Sequence, residues 1–404
     1  MVSEVLRLVI CKDHALSVLD IDKCPSVFEY GFQLVGYKSG RPLEDVRQRQ
    51  LHERAGDLLY LSGRFVEASE RFSTAADASH DLVAARRHRK WAHTLVASQQ
   101  IPAANERIAL PQTILRAISP ESRSEQWWRE YFATEVEWLW LLYLQSRTDE
   151  MRSAAAQLAT DLAAHGTRSE SGRYHRSLAL LELRAADFRA DTEIVRLAAT
   201  AHAELADDAD RTAACFAGFT HAFTVLWSGD DKTAGRLLRN VLEEARRIGE
   251  GERHLLCLTY LAVTARFGGD VDGTRAFATA GAVAAHTAGA QLYEGVNEAN
   301  LAWADWRAGH DTADRTQQRL AQAAAHIRVV PGYPFLWLAT LVEIALLVDA
   351  GDLTTVGELC ASLLMPPMQR LPDSLAGPLA RAAASPSPES RRAVVAAAET
   401  TGHL

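Results

Sequence analysis

The sequence predicts an all-α chain: a right-handed α-α superhelix of about eight helix pairs with a period near 40 residues. Three observations carry this. Helix-forming residues, alanine above all, dominate a 404-residue chain that is 48 % hydrophobic and 23 % charged, a balance that fits a packed core with solvated faces. A turn in which glycine follows an apolar run and precedes polar residues recurs at Gly229, Gly269, Gly309 and Gly351, at spacings of 40, 40 and 42 residues. Alternating β-branched runs are scarce after residue 35, so no strand pattern competes.

The elements follow in order. Residues 1–45 are broken up by Pro25, Gly31, Gly36, Gly40 and Pro42 and are expected to be an N-terminal cap or the remnant of an upstream domain. The clearest unit is Leu51–Ala76, LHERAGDLLYLSGRFVEASERFSTAA. Gly56 sits where two helices must approach closely, Gly63 ends the first helix and Phe65 opens the second. Ala68, Phe72 and Ala75 then recur at helical spacing. A degenerate turn near Gln100 comes next, followed by Ser146-Arg147-Thr148 and Ala186-Asp187-Phe188, before the four glycine turns. Glycine suits the left-handed position after a helix, and the polar residue behind it suits the next N-cap. The array is expected to span 46–365. In 366–404, Pro366, Pro367, Pro372, Pro378, Pro386 and Pro388 stop regular stacking, and a last helix, Pro388–Thr400, is expected to cap the array.

The small-Gly-aromatic-Ala-aromatic-Ala spacing of the first unit resembles the tetratricopeptide repeat (TPR). Later units keep the turn but lose the pattern: Leu238 and Cys360 stand for Phe72, and Thr274 and Val356 for Ala68. Residues 56–79, GDLLYLSGRFVEASERFSTAADAS, resemble the C-terminal repeat regions of actinobacterial-type ATPase/cyclase-linked or LuxR-type regulators. That resemblance implies stacked helix pairs curved around an extended inner groove, acting as the sensor or scaffold half of a regulator. No G-x4-G-K-[ST] phosphate loop, kinase motif set or N-terminal helix-turn-helix accompanies it.

Charge and chemistry narrow the function. With 43 Lys+Arg against 51 Asp+Glu the formal net charge is -8, which gives no overall field for nucleic acid. The densest basic run, residues 86–90, reads as a solvated helix face. The five cysteines, Cys11, Cys24, Cys215, Cys257 and Cys360, lack metal-site spacing and fit reduced thiols in a reducing compartment. No secretory signal and no bilayer-length apolar run is visible, so a soluble cytoplasmic chain is expected, with no membrane partner. The 14 histidines form no metal or catalytic motif. Glu135 and Glu137 diverge on a helix, and no Gly-x-Ser-x-Gly elbow occurs. No catalytic, cofactor-binding or metal residue is assigned.

If the first helix of each pair lines the groove, the residues that point in are Phe216, Phe219, Phe223, Trp140 and Tyr143, with Arg173, Arg176, Arg184 and Arg266. Asn297, Asn300, Trp303, Trp306 and Arg307 join them. Aromatics supply contact area, arginines pair carboxylates and asparagines bond a peptide backbone. The same aromatics also fit core packing. The run WWREYFATEVEWLWLLY, residues 127–143, is either a thick internal stack or a partner surface, including one for a homodimer. The expected function is a non-enzymatic scaffold that binds a peptide segment or protein partner in regulation. The alternative is a sensor of a small molecule or signal peptide whose superhelix tightens on binding.

Overall fold

The computed structural model describes residues 42–76, 80–330, 332–385 and 387–404. Of the expected segment 1–45, all but the last four residues lie outside them, as do Cys11 and Cys24. Eighteen α-helices are present among the described residues, and no strand. Sixteen of them form eight consecutive pairs: α1 (Pro42–Leu61) with α2 (Phe65–Ala75), α3 (Leu82–Ala97) with α4 (Ile101–Ala117), α5 (Glu125–Leu144) with α6 (Thr148–His165), α7 (Arg168–Ala185) with α8 (Thr192–Leu205), α9 (Arg211–Trp227) with α10 (Asp231–Ile248), α11 (Gly251–Phe267) with α12 (Val271–Ala288), α13 (Gln291–Arg307) with α14 (Ala313–Ile327), and α15 (Trp337–Ala350) with α16 (Leu353–Leu363). Two more, α17 (Asp373–Ala384) and α18 (Pro388–Thr400), follow.

The turns form as the pattern requires. Gly63, Gly229, Gly269, Gly309 and Gly351 all have positive φ, between 68° and 92°, where a Cβ would be strained. The degenerate turns hold the same left-handed conformation without glycine, at Gln99 (φ 62°), Ser146 (φ 58°), Asp187 (φ 49°) and Phe188 (φ 58°). Each costs roughly 1–2 kcal/mol, which the surrounding packing must outweigh. Asp230, Asp270 and Asp352 cap the helices behind three of the glycine turns, each carboxylate accepting a backbone N–H. After Gly309 the equivalent position is His310 rather than aspartate, and the cap falls to Thr312; the Asp311 carboxylate pairs with Arg315 at 3.0 Å and Arg319 at 2.5 Å. Within the first unit, a Cβ on Gly56 would lie 2.9 Å from the Phe72 ring. Helices α1 and α2 close through that fit.

The odd-numbered helices make the inner layer. From α3 to α13, each contacts its own partner and the next odd helix, so no pair has to bury its apolar face alone. The proline-rich stretch is less irregular than its composition implies: α17 forms within it, with Pro378 inside the helix. Here Pro378 is itself buried beside Leu375 and Leu379, so packing offsets the lost backbone bond. Helix α18 matches its expected bounds and packs on α15, α16 and α17. Residues 86–90, expected as a solvated face, are drawn into ion pairs instead. Arg86, Arg87 and Lys90 meet Glu53 at 2.8, 3.1 and 3.0 Å, and Arg89 meets Glu130 at 2.6 Å. Two carboxylates, on α1 and α5, turn the run inward from either side.

The array also closes on itself. Helix α1 contacts α11, and the Gly63 and Gly251 backbones touch: a Cβ on Gly251 would lie 2.5 Å from the Gly63 backbone. The Tyr60 hydroxyl donates to Glu252 at 2.5 Å, and the Leu292 N–H donates to the Gln99 side chain at 2.8 Å. Phe65 packs with Leu255, Ala285 and Ala288. The first two pairs thereby dock onto α11, α12 and α13, and the inner face becomes a partly enclosed chamber.

This closure makes a prediction with an unusual sign. Alanine is ordinarily better than glycine in a helix by about 1 kcal/mol, yet Gly251→Ala is expected to destabilise by about 1–3 kcal/mol through overpacking. Hydrogen exchange should show protection falling first in α1 and α2. An unchanged or raised urea midpoint with intact protection there would contradict the backbone contact.

Candidate functional site

The chamber is lined from the odd helices. Helix α5 contributes Trp140 and Tyr143, α9 contributes Phe216, Phe219 and Phe223, α11 contributes Tyr260 and α13 contributes Tyr293. These lie on the inner helix faces, and α5, α9, α11 and α13 each deliver one to three rings. The rings pack on one another: Phe223 and Tyr260 are 4.8 Å apart, Phe219 and Phe223 5.6 Å, and Trp140 meets Phe216 edge-on at 5.4 Å. Val330 and residues 332–335, in the link between α14 and α15, lie inside the chamber. Phe335 stacks on Trp227 at 4.4 Å. The Arg184 Nη1 donates to the Gly332 carbonyl at 3.0 Å and to the Ser146 hydroxyl at 2.6 Å. The space left over is a cavity of about 40 Å³.

Three buried arginines of the inner helices have no carboxylate partner among the described residues: Arg176, Arg184 and Arg266. Burial pulls Arg176 down to about 9, with Arg173 and Arg253 adding to the effect. It does the same to Arg266, and it lowers Arg184. Their answers differ. Arg184 has the Gly332 carbonyl. Arg266 donates to the Leu338 carbonyl and the His403 carbonyl, both at 2.8 Å. Arg176 lies 3.9 Å from the centre of the Phe216 ring; its Nε has no hydrogen-bond partner, as is true of the Nε of Arg184 and Arg266.

Beside Arg176 the closure seam carries a cluster of buried charge. His93 meets Glu137 at 2.8 Å, and Arg253 pairs with Glu252. Burial works against the charged form of His93, but Glu137 outweighs it and holds the imidazole above its usual range. Burial pushes the Glu250 carboxyl up to about 7, against the pull of Arg253. Matched charge joins α1, α3 and α5 along the seam, and the Tyr60 hydroxyl joins α1 to Glu252 on α11.

The residues expected to line a groove fall into two groups. Phe219 and Phe223 are in the chamber wall. Arg176 adjoins it through Phe216, and Arg173 lies one turn away, half-buried and paired to Asp210 at 3.0 Å. The second group clusters toward α15 and α18. Trp303 is buried and its indole N–H donates to the Leu404 carbonyl. Asn300 is buried and donates to the Val296 carbonyl at 3.1 Å. Asn297 is buried between α11 and α12, donating to Thr259 at 2.9 Å. Trp306 is half-buried against the core, and Arg307 is exposed, 3.4 Å from Glu399. In this second group the indole N–H of Trp303 and the side-chain N–H groups of Asn297 and Asn300 donate within the chain itself, and the buried Asn297 Oδ1 has no hydrogen-bond partner. Of residues 127–143, Trp127, Phe132, Leu139 and Tyr143 are buried and the other tryptophans pack against them, as in the internal-stack alternative. Among the liners that the sequence did not single out are Tyr260, Tyr293, Phe188 and the 332–335 segment. The one available signal for the last was Pro331-Gly332-Tyr333-Pro334, an interruption between two helical patterns. A second cavity, of about 290 Å³, opens at the surface between α5, the end of α6 and the start of α7, where His165 stacks on Trp128 at 3.8 Å.

No protein-family model matches the sequence, and no curated protein matches it either. Among solved structures, a Rap protein complexed with competence and sporulation factor matches 89 % of this chain and 98 % of its own, at 10 % identity with a TM-score of 0.52. The chain has a TPR-like helical-repeat fold. A signal transduction ATPase with numerous domains, carrying a TPR sensor, from Pyrococcus horikoshii is also similar. That match covers 98 % of this chain and 60 % of the other, at 10 % identity and TM-score 0.46. No helix among the described residues is long and apolar enough to cross a membrane. Within this TPR-like frame, Cys215, Cys257 and Cys360 are free and buried, and burial pushes the Cys215 thiol up to about 12.

Two expected outcomes follow from these placements. Trp303→Ala should cost about 3–5 kcal/mol of stability, the usual range for emptying a buried tryptophan site; a loss under about 1 kcal/mol in urea unfolding would show that the site is not packed as described. The second concerns pH. Burial drives His403 down to about 4, whereas an unfolded histidine titrates near 6.5. Between those values the unfolded chain binds the extra proton, so stability falls as pH drops from 6.5 toward 4, by up to about 1.4 kcal/mol per unit from this group. His403→Gln should flatten that slope relative to the parent. Identical slopes would refute the assignment.

Proposed function

We propose that this chain is a TPR-like scaffold that binds a peptide segment, free or within a protein partner, on the inner face of its superhelix, and that this binding serves regulation. The observation that carries the reading is Arg176: a buried guanidinium, stacked on Phe216 at the chamber wall, with no carboxylate and an unpartnered Nε. Burying a cation without a counter-charge is costly, and a carbonyl or carboxylate supplied by a ligand removes that cost. The aromatic wall supplies apolar contact area beside it. The TPR-like fold and the Rap structure, which was solved in a complex, support the same reading. Within it, Arg173, Arg176, Phe219 and Phe223 make the contacts. Trp306 and Arg307 offer a second, outward contact, and Arg266, Asn297, Asn300 and Trp303 hold the wall from behind.

The self-closure of the array favours a second reading beside this one, a sensor whose superhelix tightens on its ligand. The Tyr60–Glu252 contact and the Gly63–Gly251 approach are the joint at which such tightening acts.

Panning a displayed random-peptide library against the chain tests the proposal. Peptides are expected to bind, and Arg176→Gln to weaken them roughly tenfold to a hundredfold, the range of a lost charge-assisted hydrogen bond. Arg307→Gln is expected to have little effect on them. Binders indifferent to both Arg176→Gln and Phe219→Ala, in variants with unchanged circular dichroism, would move the site off the inner face. Small-angle scattering with and without a binder separates the two readings, since only the sensor reading requires contraction.

A further inference from the structure

The chamber is already full. A cavity of about 40 Å³ has room for little more than a water molecule, whereas ligand sites occupy roughly 300–1,000 Å³. What fills it is a piece of this chain that does not belong to a helix. The connections from α10 to α11 and from α12 to α13 take two residues each, but the one from α14 to α15 takes nine, residues 328–336.

That segment is held as a bound peptide would be. One backbone carbonyl, that of Gly332, accepts from both Arg184 and the Ser146 hydroxyl, at 3.0 and 3.3 Å. The Pro334 carbonyl accepts from the Gln369 N–H at 3.0 Å. Phe335 enters between Trp227 and Phe188, at 4.4 and 5.0 Å between ring centres, and the Tyr333 hydroxyl meets that of Tyr260 at 3.5 Å. The site also reads the absence of a side chain: a Cβ on Gly332 would lie 2.7 Å from both the Leu144 carbonyl and the Ser146 hydroxyl. Non-helical backbone, a carbonyl clamped by an arginine and aromatic anchors in pockets are the elements by which a groove recognises a peptide in trans.

We propose that residues 332–335 are an internal stand-in for the ligand. The inner groove takes an uncharged Gly-aromatic-Pro-aromatic segment, its glycine carbonyl bonded by Arg184 and Ser146, and such a segment binds by displacing the chain's own. This rests on the peptide-binding reading above and specifies its ligand. While the segment is seated, the apparent affinity for any competitor is reduced by the fraction of molecules in which it has left. Loosening it therefore strengthens binding in trans.

The test uses a fluorescein-labelled synthetic peptide, VVPGYPFL, corresponding to residues 329–336, and measures anisotropy. Binding to the parent chain is expected to be weak. Gly332→Ala, which pushes the segment out without removing apolar mass, should tighten it by about tenfold or more, and adding Arg184→Lys should abolish the gain. Tyr333→Ala/Phe335→Ala is a second way of vacating the groove and should act in the same direction. If both variants keep their helical signal and still bind the peptide no better than a scrambled control, the segment is permanent core and the inference fails. Hydrogen exchange on the parent chain tests the same point without any substitution. Amides of 332, 333 and 335 should exchange faster than those of α9 and α11, and equally slow exchange overturns the proposal. Peptides from the random library that bind the parent and Gly332→Ala equally well would sink the stand-in while leaving the broader peptide-binding reading intact.

Discussion

The contact on which the rest depends is the approach of two backbones, Gly63 and Gly251, at the point where the array returns on itself. An α-solenoid without such a contact is an open curl whose inner face is a groove in water. Here the absence of two side chains lets α1 come down on α11, and Tyr60, Glu252 and the Phe65 cluster then bury the seam. Closure converts inner-face residues from groove liners to chamber liners. It also removes water from around them, which strengthens every electrostatic interaction inside. The lowered guanidinium of Arg176 and the raised carboxyl of Glu250 both stem from that exclusion.

The chamber sorts its charges in two ways. At the seam, carboxylates and cations are matched, with Glu53, Glu130, Glu137 and Glu252 each answered by a basic side chain. Deeper along the inner face the arginines meet carbonyl oxygens or aromatic rings instead. Matched pairs fix helices to one another at little net gain. Unmatched guanidiniums are different: they are costly to bury and confer no registry, and they are suited to groups that arrive from elsewhere. The 332–335 segment meets one of these arginines through a backbone carbonyl, with no charged side chain there.

Closure and occupancy are also linked. The link that fills the chamber spans from α14 to α15, and Phe335 within it touches Phe188 behind α7, Phe223 on α9 and Tyr260 on α11. An element that reaches across three repeats couples their spacing. A change in what occupies the chamber is therefore felt along the inner layer, where α9 and α11 adjoin the seam, without any new contact at the outer helices.

The sequence by itself determined the repeat. Left-handed turns after apolar helices are local, and glycine is the residue such turns favour, so the pair count, the 40-residue period and the closing helix Pro388–Thr400 were all legible. So was the inward direction of Phe219, Phe223 and Arg184, which follows from helical phase relative to each turn. Only the tertiary structure decided what these residues face. Asn297, Asn300 and Trp303 have the same helical phase as true liners, yet α12, α15 and residues 401–404 cover them, and no pattern within their own helix encodes that cover. Residues 86–90 read as a solvated face until Glu53 and Glu130 arrive from α1 and α5. The meeting of Gly63 with Gly251 joins positions 188 residues apart, and it depends on curvature summed over five helix pairs. Small rotations accumulate along a stack, and whether they bring its first turn onto its sixth pair is a property of the whole array, written in no single repeat.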